Sequence, residues 1–449
     1  MSLVCTRTQQ PAGQGGFHTG ELCIGQTRLR YIYDCGSTTQ AHIDTAVKAY
    51  ADSIGKGRDK PMVEVLFISH FDDDHIKGLE TLFKHVRIKK AVIPYMDDFE
   101  RLYLYAEASS DGEVSEGFRF CMSHPYKWLR DHEVEQVVVV GGNGDVGPQR
   151  PTTESPIPEL TSEYRQTEFL DLKPNDVVQF DDPLCEDVNY VMHMHHDEQF
   201  NLTNGVCALA DWYFLTYVHP WKDKRSAFVN LVQQSLISKV PYIVHALRKD
   251  CVVDVLKDPE CVKIITDCYN QVWKGAKQKK NATTMSLYSG PYTQSTFLNI
   301  VKRGEKGMSC CNVDTKGLPV LGMQQRAGWL LTGDAPIKEK SRLMPFLYHY
   351  YDIQDFVGVL MLPHHGSNAN FNPKILSYLN APFYSIAAGM TKYHPHAAVQ
   401  RAASAVGYSI VTTAEKASAL TFDSTFIDGQ VVCFEVKPEA LNNLSPDGD

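Results

Sequence analysis

The stretch Val63-Glu64-Val65-Leu66-Phe67-Ile68-Ser69-His70-Phe71-Asp72-Asp73-Asp74-His75 decides how this chain is read. Its first seven residues are apolar and partly β-branched, too short for a helix of ordinary length. They read as a buried strand. The next six put two imidazoles and three carboxylates directly after the strand, where the chain must turn. Imidazole and carboxylate together suit Zn²⁺, Mn²⁺ or Fe²⁺. In a strand-to-helix turn, His70 and Asp72 can point one way while Asp74 and His75 approach from the other. Such a cluster can serve two ions a few ångströms apart, an arrangement used to hydrolyse phosphate esters. Aspartate also favours helix N-termini, and Asp73 fits that simpler role.

Outward from this stretch, strands and helices alternate. Leu22 to Leu29 and Arg30-Tyr31-Ile32-Tyr33 read as strands, after a flexible Gly13-Gln14-Gly15-Gly16 turn. Ala41 to Ala51 and Gly78 to Val86 have helical spacing, and Ala91 to Pro94 is another buried strand. The alternation predicts an α/β layered fold. Residues 141–163 are rich in Gly, Pro, Ser and Thr and read as a loop or linker. Asp187 to His195 and Gly205 to Val218 read as strands, and residues 222–280 as an inserted helical element. The chain is therefore expected to be a single domain over 1–449, interrupted at about 141–280. In the later half, Trp329 to Thr332, Phe356 to Leu362, Pro382 to Ala388, Tyr408 to Thr412 and Gln430 to Glu435 read as strands.

The strand ends of that later half carry chemistry again. Asp334 follows Trp329-Leu330-Leu331-Thr332-Gly333, where one carboxylate can bridge two metals or simply make a turn. Pro363-His364-His365-Gly366-Ser367 follows an apolar strand; one histidine can ligate while the other packs. Tyr393-His394-Pro395-His396 follows a strand, and either histidine can protonate a leaving group, with His394 preferred. His193-Met194-His195-His196 offers a further cluster, read chiefly as a solvent-facing strand end.

Composition sets bounds. Of 449 residues, 43% are hydrophobic and 22% charged, the balance of a globular protein. No apolar run approaches the roughly twenty residues that span a bilayer, and no export signal is evident, so a cytoplasmic protein without membrane association is expected. Twelve scattered cysteines, none in a C-x-x-C pair, fit reduced thiols. The net charge of −9 excludes a protein that coats itself on nucleic acid, though not a nucleotide or nucleic-acid substrate met by a local basic patch.

Taken together, the motifs resemble the metallo-β-lactamase superfamily. More narrowly, they are similar to the metallo-hydrolase domain of the bacterial DNA-uptake protein ComEC and its stand-alone relatives. That group's H-x-D-x-D-H is matched by His70 to His75, with Asp72 where most of the superfamily has histidine. The early glycine loop and D-x-G are matched by Gly13 to Gly16 and Asp34-Cys35-Gly36. L-L-T-G-D is matched by Leu330 to Asp334, P-H-H-G-S by Pro363 to Ser367, and a later His-Pro by His394-Pro395. The resemblance implies an αββα sandwich with a helical insertion and two divalent ions, Zn or Mn, at the edge of two facing sheets. It implies that His70 and Asp72 hold one ion, that Asp74 and His75 hold the other, that Asp334 bridges, and that His364 or His365 completes the second position. Asp74 and His394 would serve catalysis. The departure is the missing third-motif histidine, whose strand corresponds to residues 281–287; His193 to His196 offer a substitute in principle. The implied activity is a metal-dependent phosphodiesterase or nuclease. Hydrolysis of another ester or a lactone, or a degenerate subunit acting through a protein partner or a second copy, stands as the alternative.

Overall fold

The computed structural model describes residues 2–55, 59–112, 114–141, 171–174, 189–203, 208–222, 224–237, 251–274, 283–291, 326–391, 393–415, 418–427 and 430–436, with 184, 187 and 239 besides. The glycine-rich stretch 142–163, the Cys310-Cys311 pair, Asn281-Ala282 and Lys392 lie outside them.

Two sheets face each other. The first contains β1 (Ser2–Gln9), β2 (His18–Ile24), β3 (Thr27–Tyr33), β4 (Met62–Phe67), β5 (Arg87–Pro94), β6 (Gln136–Gly141), β8 (Val191–His195), β16 (Leu420–Ile427) and β17 (Gln430–Val436). Its order is β17-β16-β1-β2-β3-β4-β5-β6-β8. The second contains β7 (Asp171–Pro174), β9 (Gln199–Thr203), β10 (Ala208–His219), β11 (Thr284–Pro291), β12 (Gly328–Leu331), β13 (Val357–Met361), β14 (Phe383–Ala387) and β15 (Tyr408–Thr412). Its order is β15-β14-β13-β12-β11-β10-β9-β7.

The strand sequences explain the layering. In β4, Val65 and Phe67 face the space between the sheets, while Val63 and Leu66 face the helices on the other side. In β6, Val138 and Val140 point inward, and Val137 and Val139 point to the helices. Strands buried on both faces read as continuous apolar runs rather than alternating ones. Helices Gln40–Ile54, Leu79–His85 and Asp98–Asp111 cover the first sheet. Helices Lys340–His349, Lys374–Leu379 and Ala397–Ser404 cover the second. The result is a mixed α/β fold in four layers, αββα.

The helical segment read as an insertion belongs to this core. Helices Arg225–Leu236 and Pro259–Trp273 pack on the outside of the first sheet, where Tyr103 meets Trp221, Phe228, Tyr269 and Trp273 at ring distances of 4.6–5.7 Å. Trp212 and Phe214 lie in the inter-sheet core. β1 and β16 escape the sequence reading, although β1 sits inside the first sheet, paired with β16 and β2. Its inward side chains include a buried arginine, Arg7, sandwiched between the Trp212 and Trp329 rings at 5.3 and 5.9 Å. The run read as Leu22 to Leu29 contains a turn at Gly25, whose φ of +61° suits glycine. Among the described residues, no helix is long and apolar enough to cross a membrane.

Strands β3, β4, β5, β6 and β8 run parallel, as do β12, β13, β14 and β15. His70 follows β4, Asp334 follows β12, His364 follows β13 and His394 follows β14. Carboxyl ends of parallel strands are where α/β sheets open a crevice for ligands.

Candidate metal centre

The turn after β4 is held from below by glycines. Gly16 N–H donates to Asp74 O at 3.0 Å, and Cys35 N–H donates to His75 O at 2.8 Å. A Cβ at Gly36 would stand 2.4 Å from the Asp74 carbonyl carbon, and one at Gly16 would stand 2.8 Å from His75 Nδ1. The early glycine loop and the D-x-G segment are therefore a close-fitting seat for the His70–His75 turn. A single helical turn, Asp73–Ile76, closes it. Asp73 is 73% exposed and pairs with Lys77 at 3.9 Å, outside the cluster.

Each inward imidazole has its tautomer fixed from behind. His75 Nδ1 lies 2.8 Å from Asp34 Oδ2, so that carboxylate holds the Nδ1 proton and Nε2 faces the centre. His365 Nδ1 donates to the Ala387 carbonyl at 2.8 Å, so Nε2 of His365 also faces in, 3.0 Å from Asp74 Oδ2. Ser69 Oγ donates to Asp34 Oδ2 at 2.7 Å. Its proton is then committed, so at 2.8 Å it accepts from His70 Nδ1, and His70 Nε2 is left as an acceptor. Three Nε2 atoms thus converge, each on a ring positioned by a partner on its other nitrogen.

The carboxylates meet them. Asp334 Oδ1 is 3.2 Å from His75 Nε2 and 4.0 Å from His365 Nε2, while Oδ2 is 3.8 Å from His70 Nε2. Asp74 Oδ2 is 3.0 Å from His365 Nε2, and Asp72 Oδ2 is 3.6 Å from His70 Nε2. Burial alone would raise the pKa of Asp334, but the facing His364 and His75 hold it well below the usual carboxylate range. Against the same burial penalty, the hydrogen bond with His365 and the charge of His75 lower that of Asp74. Asp72 is pushed well above the usual range, first by loss of water, although a quarter of its side chain stays exposed, and then by like charge from Glu107 and Asp74. Burial works against a charged His75, yet Asp34 and Asp334 raise its pKa well above the ordinary imidazole value. His70 is lowered to about 4 by burial and by His75.

His364, His365 and Gly366 all have positive φ, at +47°, +53° and +77°. Left-handed backbone costs a non-glycine residue of order 1–2 kcal/mol, and here it turns both imidazoles toward the acids. They do different things. His365 is buried against Asp74, whereas His364 is less buried and sets Nδ1 2.8 Å from Asp334 Oδ2. His394 stacks on His364 with ring centroids 5.4 Å apart, at the rim. Burial and then His364 lower its pKa to about 4. His396 instead caps helix Ala397–Ser404, accepting from Ala398 N–H at 3.2 Å.

The fit to a divalent ion can be tested on this geometry. Tetrahedral coordination with bonds of 2.0–2.1 Å places donor atoms about 3.3 Å apart. Asp74, His75 and His365 offer donor atoms within 4.8 Å of one another, as do His70, His75 and Asp334. Buried Nε2 of His75 faces Asp334 Oδ1 at 3.2 Å. Three buried or half-buried acids around three converging imidazole nitrogens suit a cation. The residues fit.

A third group, His195, His196 and Asp197, also has donors within 4.8 Å. Its rings are set the other way. His196 Nδ1 accepts from Val218 N–H at 3.2 Å, so Nε2 carries the proton of its neutral ring, whereas His195 Nδ1 lies 3.3 Å from Asp197 N and 3.2 Å from Asp197 Oδ2. Asp197 Oδ1 lies 3.5 Å from His196 Nε2 and 3.3 Å from His349 Nδ1. His193 and His196 are buried, which corrects the reading of this segment as a solvent-facing strand end. β8 lies three strand positions from β4, about 14 Å, so these histidines do not fill the place of the third-motif histidine. At that side, Thr284 Oγ1 approaches His70 Nδ1 at 3.4 Å.

Sequence reasoning passed over three contributors: Asp34 and Ser69, which orient the imidazoles, and Glu107, whose charge bears on Asp72. Asp34 has a signal in the sequence, an aspartate just before glycine at a strand end; Glu107 lies mid-helix and has none.

No protein-family model matches the chain, and no curated protein sequence matches it. Among solved structures it is similar to the metallo-beta-lactamase fold protein YhfI from Bacillus subtilis, at 9% identity and a TM-score of 0.33, over 93% of this chain and 99% of that one. The αββα arrangement itself rests on the sheet order and the three hydrophobic layers described above.

Proposed function

We propose that this chain is a metal-dependent hydrolase that cleaves phosphate diesters, with a nucleotide or nucleic acid as substrate. The observation that carries the hydrolase reading is the convergence of His70, His75 and His365 Nε2 on Asp334, each ring fixed on its other nitrogen. The phosphate class rests on the H-x-D-x-D-H pattern, with Asp72 at its third position. A divalent ion supplies Lewis acidity and lowers the pKa of a water. His365, rather than His364, is the second-position ligand in this reading, with Asp74, His75 and Asp334. His364 holds its proton toward Asp334. His394, stacked on His364 at the rim, protonates the leaving oxygen in its imidazolium form, which its lowered pKa makes scarce near pH 7 and commoner in acid.

The test combines elemental analysis of the purified protein with hydrolysis assays in Mn²⁺. The substrates are bis-p-nitrophenyl phosphate, single- and double-stranded DNA, RNA and cyclic nucleotides. Bound metal with diester cleavage supports the reading. Bound metal without cleavage of any of them removes the phosphate class, and failure to bind metal removes the hydrolase.

A further inference from the structure

One turn at the rim of the centre shows apolar surface to solvent. Met390 is 61% exposed and Tyr393 68%, and Tyr393 directly precedes His394, whose ring stacks on His364. The turn is firmly held. Thr391 N–H donates to His394 O at 2.8 Å, while Thr391 Oγ1 accepts from Tyr393 N–H at 3.3 Å and His394 N–H at 3.0 Å. On one side, a Cβ at Gly389 would stand 3.1 Å from Gln14 Cβ. On the other, a Cβ at Gly366 would stand 3.1 Å from Pro395 Cβ, and His396 N–H donates to Gly366 O at 3.1 Å. The turn is thus wedged between the early glycine loop and the His364–Gly366 turn, and Tyr393 is presented from fixed backbone. Met390 takes a φ of +52°. Left-handed backbone at a non-glycine residue persists where the surroundings enforce it, and it clusters beside ligands.

Two kinds of occupant could cover such a surface. A stable protein interface buries about 1,200 Å² or more, far beyond what two side chains supply. A nucleobase is one flat ring and needs one aromatic partner. Consecutive Cα atoms stand about 3.8 Å apart, so the tyrosine lies beside the histidine assigned to the leaving oxygen, within reach of a base one sugar away from the phosphate. Resting on the phosphodiesterase reading above, we infer that Tyr393 is a specificity-determining residue that stacks on one base flanking the scissile phosphate. Met390 supplies adaptable apolar surface in the same turn. Stacking asks only for a π-face, so the site prefers any base over none rather than one sequence. The contact is made alike in the ground and transition states, and its loss falls on KM rather than kcat.

The test uses the full, metal-loaded chain and two diesters. One is a dinucleoside monophosphate; the other is the same sugar–phosphate backbone with hydrogen in place of both bases. Tyr393→Ala raises KM for the dinucleotide about 5- to 150-fold, with kcat, bound metal and the circular dichroism spectrum unchanged, and has no such effect on the base-free diester. Tyr393→Trp keeps the original KM. An unchanged KM for the dinucleotide, an equal effect on both diesters, or a loss confined to kcat overturns the inference and leaves the phosphodiesterase reading standing. An unaltered chain that cleaves neither diester overturns that reading and the inference with it.

Discussion

Asp34 Oδ2 stands 2.8 Å from Nδ1 of His75, on an aspartate whose own φ is +59°. The same carboxylate accepts from Ser69 N–H at 2.6 Å and Ser69 Oγ at 2.7 Å. One buried acid thereby fixes His75 directly and His70 through a serine hydroxyl. The left-handed backbone at Asp34 aims its carboxylate back under the turn.

Asp34→Asn tests that arrangement with little change of shape, since asparagine tolerates positive φ. An amide N–H facing His75 Nδ1 would force the proton to Nε2, the wrong tautomer. The expected result is a loss of metal affinity of about 10–100-fold with the fold retained. Unchanged affinity by equilibrium dialysis would show that Asp34 does not set the tautomer.

Metal uptake should release protons. With no ion, Asp34 and Asp334 together raise the His75 pKa well above the ordinary value. An ion displaces the Nε2 proton while Asp34 keeps the one on Nδ1. Affinity should therefore rise with pH across the neutral range. Calorimetric titrations in buffers of different ionisation enthalpy count the protons, and buffer-independent heats would contradict the expectation.

The glycine seat gives a steric prediction. A Cβ at Gly36 would sit 2.4–2.5 Å from the Asp74 and His75 backbone. Gly36→Ala should displace the turn, destabilise the fold by about 1–3 kcal/mol and reduce metal retention. Substitution at Gly25, where a Cβ meets nothing within 4 Å, should leave metal retention intact. Chemical denaturation with metal analysis separates the two variants.

His394→Ala should lower turnover by about 10²–10⁴-fold while leaving the bound metal in place. The decisive comparison is a substrate with a p-nitrophenolate leaving group, which needs no proton. An equal loss on that substrate and on a dinucleotide would rule out proton donation by His394.

Acid should weaken the fold. Burial and then His349 lower His196 to about 3, against about 6.5 in an unfolded chain. Because the folded value is depressed, the stability it contributes is present above the unfolded pKa. It is lost as pH falls through 6.5 toward 3, at about 1.4 kcal/mol per pH unit. His219 and His18, lowered by burial, act in the same direction. The melting temperature should fall between about pH 7 and 5, and His196→Asn should flatten that slope. A slope unaffected by the variant would remove His196 from the account.

The parts of the fold that were readable in sequence are those with strong local chemistry. β4 and β6 announce themselves as apolar β-branched runs, and His70 to His75 as a ligand cluster. β1 did not, because Arg7 and Gln9 occupy inward positions where a pattern search expects apolar residues, and only the tertiary stack of Trp212 and Trp329 makes room for the guanidinium. The helix Asp98–Asp111 carries a capping box from Asp97 and Glu100, yet its polar composition hid it. The division of labour between His364 and His365 was equally hidden, since it depends on three consecutive left-handed residues and on a carbonyl 22 residues away. The buried setting of His195 and His196 arises from His349, 153 residues beyond His196, and from the β10 backbone.

The centre is assembled from both ends of the chain: the seat and turn come before residue 80, whereas Asp334 and His365 come after residue 330. During synthesis, a ribosome-bound chain presents His70, Asp72, Asp74 and His75 long before their partners exist. The convergence of donors is therefore a property of the folded chain alone, complete only once β12 and β13 stand beside β11 in the second sheet.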